Sequence, residues 1–525
     1  MTVASTFTAC KEDKLAVNPS IVKPSIAFVG LTNSTTTIPS QLIRYNASNV
    51  NLASSAAITI TGLQTGESIV AIDYRPATGQ LYGLGSTSRI YQIPVPVSLT
   101  ATTTAARAIG TGPFTPLLTG TVAGFDFNPT VDRIRIVTST GQNLRINPET
   151  GTVATVDGVI NGATPTAVVT GSAYTNNVSG ATTTTLYDLD LVNRKLYRQD
   201  PPNDGKLTDV GLTNIPAAVA TVNAGFDISP AGIALATAGT SLYQINLETG
   251  AASELGSMYI PSSVTANNTL NGTSIVDLAI PTSNIAYAVD ETNALYYFST
   301  SSPSTAVTKP ITGLQSGENI LGIDMRPSNG QLYALGSSSR LYAINLGTGA
   351  ATAVNAVPFT PALSGDSFGF DFNPTTSGNP ATELIRVVSN TGQNIRVNAS
   401  TGAVANVDPA PTLTGGTPAL TASAYTNNFA SATATTTVLY SIDATTDRVY
   451  TQNAMTGVLT LLGPLGIDIT AANGFDIGGT TGTAIGIFTV GTSTRLYTIS
   501  LVSGGATANL EFPKPVRGFA LGLGF

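Results

Sequence analysis

The segment Thr61–Ile93, TGLQTGESIVAIDYRPATGQLYGLGSTSRIYQI, returns almost unchanged as Thr312–Ile344, TGLQSGENILGIDMRPSNGQLYALGSSSRLYAI. Other pairs keep the same order along the chain. TGQNLRIN at Thr140–Asn147 reappears as TGQNIRVN at Thr391–Asn398, and AYTNN at Ala173–Asn177 reappears at Ala424–Asn428. GFDFNP at Gly124–Pro129 matches Gly369–Pro374, and GFDI at Gly225–Ile228 matches Gly474–Ile477. A chain of 525 residues exceeds what one hydrophobic core usually supports. The duplication therefore predicts two copies of one architecture, over 25–280 and 281–525, behind a tether at 1–24.

A shorter period lies inside each half. An apolar residue, an aspartate, two residues and a proline recur at Asp73, Asp126, Asp227, Asp324 and Asp371, and Asp476 has Gly479 in place of the proline. Strand-like alternation follows each, often closed by an Asn-Gly or Thr-Gly turn, as in SLYQINLETG at Ser241–Gly250. No long segment holds a helical period, and the 52 glycines and 30 prolines interrupt the chain throughout. The reading is all-β, a β-propeller of five units per half, at a spacing of roughly 40 to 50 residues per four-stranded blade.

The second half opens with the strand-like TSIVDLAIP, Thr273–Pro281, whereas the first starts directly at PSIAFVGL. The last residues, PVRGFALGLGF at Pro515–Phe525, resemble the missing type. A late strand that completes an early blade removes two unpaired sheet edges. Two tandem five-bladed propellers are expected, with one ten-bladed ring as the alternative.

Composition excludes several chemistries. With no histidine and one cysteine, a histidine triad, a His/Cys zinc site and an internal disulfide cannot form. The net charge of -7 and the lack of any Lys/Arg cluster argue against a nucleic-acid partner. No stretch approaches the roughly 18 apolar residues that a membrane-spanning helix needs.

With IDYRP, GFDFNP, TGQNLRIN and AYTNN in hand, the chain resembles the bacterial family known as domain of unknown function 4394, in two tandem copies. The resemblance implies an exported, propeller-like protein and carries no established activity or catalytic residues. Phe7-Thr8-Ala9-Cys10 resembles the end of a bacterial lipoprotein signal, which makes Cys10 the candidate lipidation site. Lys11–Lys14, KEDK, resembles the export signal of bacterial surface lipoproteins.

Two sets of side chains are candidates for chemistry. The six repeated aspartates are structural turn residues first and candidate calcium ligands second, since a short carboxylate can fix its own turn and hard oxygens suit calcium. No other cofactor is expected. Arg75, Arg326, Arg145 and Arg396 occupy matching places and could form a polar binding face, or tie neighbouring blades together. Tyrosines that follow Leu, Ile or Val, such as Tyr82, Tyr91, Tyr333 and Tyr342, read as packing between blades. Asp188 and Asp190 are poor ligand candidates, because the matching strand has Ser441 at the first position.

The functional expectation is a non-catalytic, exported surface lipoprotein at the outer membrane. It would serve as a binding or scaffolding platform, as a subunit of an outer-membrane assembly with a protein partner in the cell envelope. Contact with the membrane would be through the lipid anchor alone, and a periplasmic or secreted location is the alternative. The rival readings are a glycan- or polymer-acting enzyme and an adhesin. The enzyme would need an open carboxylate pair about 5 to 9.5 Å apart.

Overall fold

The structure, a computed structural model, describes residues 22–33, 39–120, 122–217, 224–260, 274–379, 381–414, 416–430, 432, 434–470 and 473–525. Cys10 and the KEDK run lie outside the described residues. The chain is all-β. Ten sheets form among the described residues, nine of them four-stranded and antiparallel. The first sheet gains a fifth strand, Thr103–Ala105, which runs parallel to Ile58–Thr61. Every sheet draws its strands from one side of Pro281.

Each half begins by borrowing a late strand. Ile275–Ala279 pairs antiparallel with Ala27–Thr32, setting Val29 opposite Ala279 and Leu31 opposite Asp277. Gly518–Leu521 pairs antiparallel with Ile285–Val289, setting Ala286 opposite Leu521 and Ala288 opposite Phe519. Both clasps satisfy backbone groups that an edge strand would leave open.

One strand of every sheet lies innermost. In the first half these strands are Ile69–Arg75, Val122–Asn128, Gly171–Tyr174, Phe226–Ile228 and Ile275–Ala279. Each touches the next, and Phe226–Ile228 touches Ile275–Ala279, which in turn touches Ile69–Arg75. The second half repeats the circuit through Ile320–Met325, Phe368–Phe372, Leu420–Tyr425, Gly474–Ile477 and Gly518–Leu521. Burial falls outward: Phe368–Phe372 is buried at every position, whereas Thr152–Val156, an outer strand, is mostly exposed.

The core lies between adjacent sheets. Val29, Leu31 and Ala279 of the first sheet pack on Ile69, Ile72 and Leu81 of the second. Leu235 and Leu242 of the fifth return to Phe28, Ile275 and Leu278 of the first. In the second half, Ile485, Ile487 and Leu496 pack likewise on Ala286, Phe298 and Phe519. Sheets that bury little alone gain their stability from such neighbours.

The local sequence explains the close centre. In the repeated Gly-Phe-Asp, the glycine lets the next inner strand approach: a Cβ at Gly225 would lie 2.4 Å from the Leu278 amide nitrogen. At Gly474 it would lie 2.3 Å from the Phe519 Cβ. The phenylalanine fills the gap between sheets, as Phe125 and Phe370 do. The aspartate takes the role described below.

Candidate functional site

The six repeated aspartates meet in two trios. Asp73, Asp126 and Asp227 bring one carboxylate oxygen each within 4.8 Å of one another, and Asp324, Asp371 and Asp476 do the same in the second half. None of the six is more than 2% exposed. They sit within inner strands, and their hydrogen bonds run to strand amides, beside them and in the next sheet. Asp73 accepts from the amide of Tyr74 (2.7 Å) and from that of Phe127 in the next sheet (2.8 Å). Asp126 accepts from the Tyr174 amide at 3.2 Å. Asp227 reaches the closing strand through the Ile280 amide at 2.6 Å. Asp324, Asp371 and Asp476 repeat the pattern with the amides of Phe372, Tyr425 and Leu521. The carboxylates therefore link sheet to sheet, because a short side chain on an inner strand reaches the neighbouring backbone before it reaches its own turn.

A fourth buried carboxylate lies near the first trio, outside its 4.8 Å cluster. Asp277, on the closing strand, accepts from the Ile72 amide at 2.7 Å and the Leu278 amide at 2.9 Å. In the second half Gly518 stands in that place, where a Cβ would lie 2.8 Å from the Ile323 amide nitrogen. Asp277 went unnoticed in the sequence because its strand has no aspartate in the duplicate.

Burial, then the like charge of Asp227, pushes Asp73 well above the usual carboxylate range. Asp126, Asp324 and Asp371 are raised for the same two reasons, burial first and a neighbouring aspartate second. Burial raises Asp227 and Asp476 to about 7, against the amide hydrogen bonds that hold them down. By donor type each trio suits a hard cation such as calcium. The amides on these oxygens give the trios a structural role that needs no ion.

The sign of the pH effect follows. A carboxyl whose folded value is raised binds its proton more tightly in the folded state. Its contribution is full below the unfolded value near 3.8 and is lost as pH rises through about 7. Folding stability should therefore rise as pH falls from 8 to 5, by up to about 1.4 kcal/mol per pH unit for each extra proton held, and the unfolding midpoint should rise with it. Asp227→Asn should flatten that slope. Thermal unfolding across pH 4 to 8 measures both, and a midpoint that falls steadily from pH 8 to 5 in the wild type would contradict the assignment.

The arginines are not an open face. Arg75 is fully buried: its Nε donates to Asp132 at 2.8 Å, one Nη donates to Glu149 at 3.2 Å, and the other to the Gly330 carbonyl at 3.1 Å. Arg326 donates to Glu383 at 2.6 Å and to the Tyr333 hydroxyl at 3.0 Å. Arg145 and Arg396 grip Asp157 and Asp408 side-on, each through two bonds of 2.8 Å. Arg75 and Arg326 are buried among these partners, and Arg145 and Arg396, about a quarter exposed, each have Nε and one Nη held by a carboxylate. Tyr82, Tyr91, Tyr333 and Tyr342 are buried, as packing residues should be.

Arg75 also joins the halves. Its turn, ArgProAlaThrGly at Arg75–Gly79, meets the duplicate turn Arg326–Gly330, so the repeated segment contacts its own copy. The Tyr287 hydroxyl donates to the Ala77 carbonyl at 2.6 Å, and the Gly524 amide to the Thr78 carbonyl at 2.8 Å. Beside this junction lies a cleft of about 760 Å³, walled by Arg44, Gln92, Pro94 and Arg107 from the first half, by Thr282, and by Phe429 and Leu523 from the second.

The family model described as Domain of unknown function (DUF4394) matches residues 41–269 and again 294–520. The chain belongs to this family. Among curated proteins, none matches it. Each DUF4394 copy holds one aspartate trio, and the cleft lies where the two copies meet. Its polar residues escaped the sequence reading. Gln92 and Arg107 face each other across one sheet, and the same register in the second copy pairs Ala343 with Thr352. Their signal is this departure from the duplication.

Proposed function

We propose that this protein is a non-catalytic binding platform made of two tandem five-bladed propellers, over 25–280 and 281–525. Two closed circuits of inner strands and a separate clasp in each half favour two rings over one of ten blades. The observation that carries the reading is the junction cleft of about 760 Å³, within the range of ligand sites. The two aspartate trios are sealed and hydrogen-bonded, so neither supplies the open acid–base pair that the polymer-cleaving alternative requires. The platform is held at the cell surface by a lipid on Cys10 and engages a protein partner of the envelope.

Protease treatment of intact cells, followed by native isolation, tests this. The account expects surface cleavage and a stoichiometric envelope partner. A periplasmic protein that purifies alone would overturn the platform. Mass spectrometry of the mature N-terminus tests the anchor, and an unmodified Cys10 thiol would remove it.

A further inference from the structure

Arg107 lines the junction cleft, and one edge of its guanidinium has nothing to hold. Nε and Nη2 of Arg107 are buried and have no hydrogen-bond partner among the described residues. Arg145 and Arg396 use the same edge to grip both oxygens of a carboxylate. A buried, unpaired donor costs free energy, and a charged one costs more. The charge of Glu383 reaches Arg107, but its Oε2 is taken by Arg326 at 2.6 Å and by the Ser328 hydroxyl at 2.7 Å, and its Oε1 makes no hydrogen bond to Arg107 or to any other described residue. That pair is neutral as a unit, so Arg107 keeps its charge. Among the described residues, no aspartate or glutamate lines the cleft.

Further unpartnered atoms belong to the same walls. Gln92 Nε2, Thr282 Oγ1 and Gln80 Oε1 are all buried without a partner among the described residues, and all three residues line the cleft. Arg44, the second cation there, already donates to the carbonyls of Pro96 and Ser98 and braces the wall strand. The rest of the lining is largely apolar, with Pro94, Val95, Phe429 and Leu523. The second copy lacks the polar pair, so this is a feature of the junction and no relic of the repeat.

We infer that the cleft is the seat of an organic carboxylate with an apolar body, gripped side-on by Arg107 and hydrogen-bonded by Gln92 and Thr282. Arg44 spends its donors on carbonyls, so one guanidinium edge, that of Arg107, is left to hold two coplanar oxygens, which suits a carboxylate. A fatty acid and the C-terminus of an apolar peptide share this chemistry. The inference rests on the reading of the protein as a binding module.

Isothermal titration of the full chain with sodium octanoate, with acetyl-Ala-Ala-Phe as free acid and as amide, and with octyl phosphate tests it. At least one free carboxylate should bind saturably at one site, and which one binds names the source. The amide and the phosphate should bind at least tenfold more weakly. Arg107→Gln should weaken binding at least tenfold, and Ala105→Trp, which fills the cleft and leaves the charge, should do the same. No saturable carboxylate binding, equal binding of acid and amide, tighter binding of the phosphate, or an unchanged Arg107→Gln would each overturn the seat. Capture of the envelope partner by Arg107→Gln separates the two readings. Capture without carboxylate binding in the wild type sinks the seat alone, and carboxylate binding without capture sinks the envelope partner alone.

Discussion

Removal of residues 516–525 should unfold the second half while the first retains its sheets. The deleted stretch supplies the strand Gly518–Leu521 and buries Val516, Phe519, Leu521, Leu523 and Phe525. At about 1.5 to 3 kcal/mol for each large apolar side chain, the loss is on the order of 10 kcal/mol. That is comparable to the whole stability of an ordinary domain, about 5 to 15 kcal/mol. The deletion also bares the edge of Ile285–Val289 and removes the Leu521 amide from Asp476. Hydrogen exchange should show protection lost across 285–511 and kept in the inner strands of the first half. Uniform protection in both halves would mean that the clasp is dispensable.

The second large effect is expected at Arg75. Arg75→Ala leaves Asp132 and Glu149 without their buried cation and takes two donors from the Asn329 and Gly330 carbonyls. Breaking a buried pair on one side costs about 3 to 5 kcal/mol, because the remaining charge stays buried. For a half of this size, the unfolding midpoint should fall by on the order of 10 °C. The two halves should also separate more readily, since this side chain crosses their junction. The pair Arg495–Glu511 provides a contrast: it lies at the surface, and Arg495→Ala should cost less than about 1 kcal/mol. Differential scanning calorimetry of the two variants measures both, and equal midpoints would contradict the role assigned to Arg75.

Much of the architecture was legible in the chain. The duplication and the strand-like Thr273–Pro281 anticipated both clasps, because a hydrophobic run without a local partner must find a distant one. The aspartates are legible as structural residues, but their hydrogen-bond partners are not. Sequence spacing reports neighbours along a strand, and it does not report that Phe127 of the next sheet lies 2.8 Å from Asp73. The arginines were expected either as a face or as ties, and only coordinates could decide, since Asp132 and Glu149 lie far from Arg75 in sequence. Arg107, Gln92 and Asp277 were overlooked for a shared reason. Attention to residues that match between the halves passes over those that differ, and the junction between two copies is where a duplicated chain has reason to diverge.

The central claim is that each half closes upon itself. In a Cys10→Ser background, Ala286→Cys combined with Leu521→Cys places two thiols on directly paired residues of the second clasp. Ala27→Cys combined with Leu521→Cys probes instead the pairing that a single ring around all ten sheets would require. Oxidation followed by peptide mass spectrometry should find the bridge between 286 and 521 and none between 27 and 521; the opposite outcome would contradict the two-ring account.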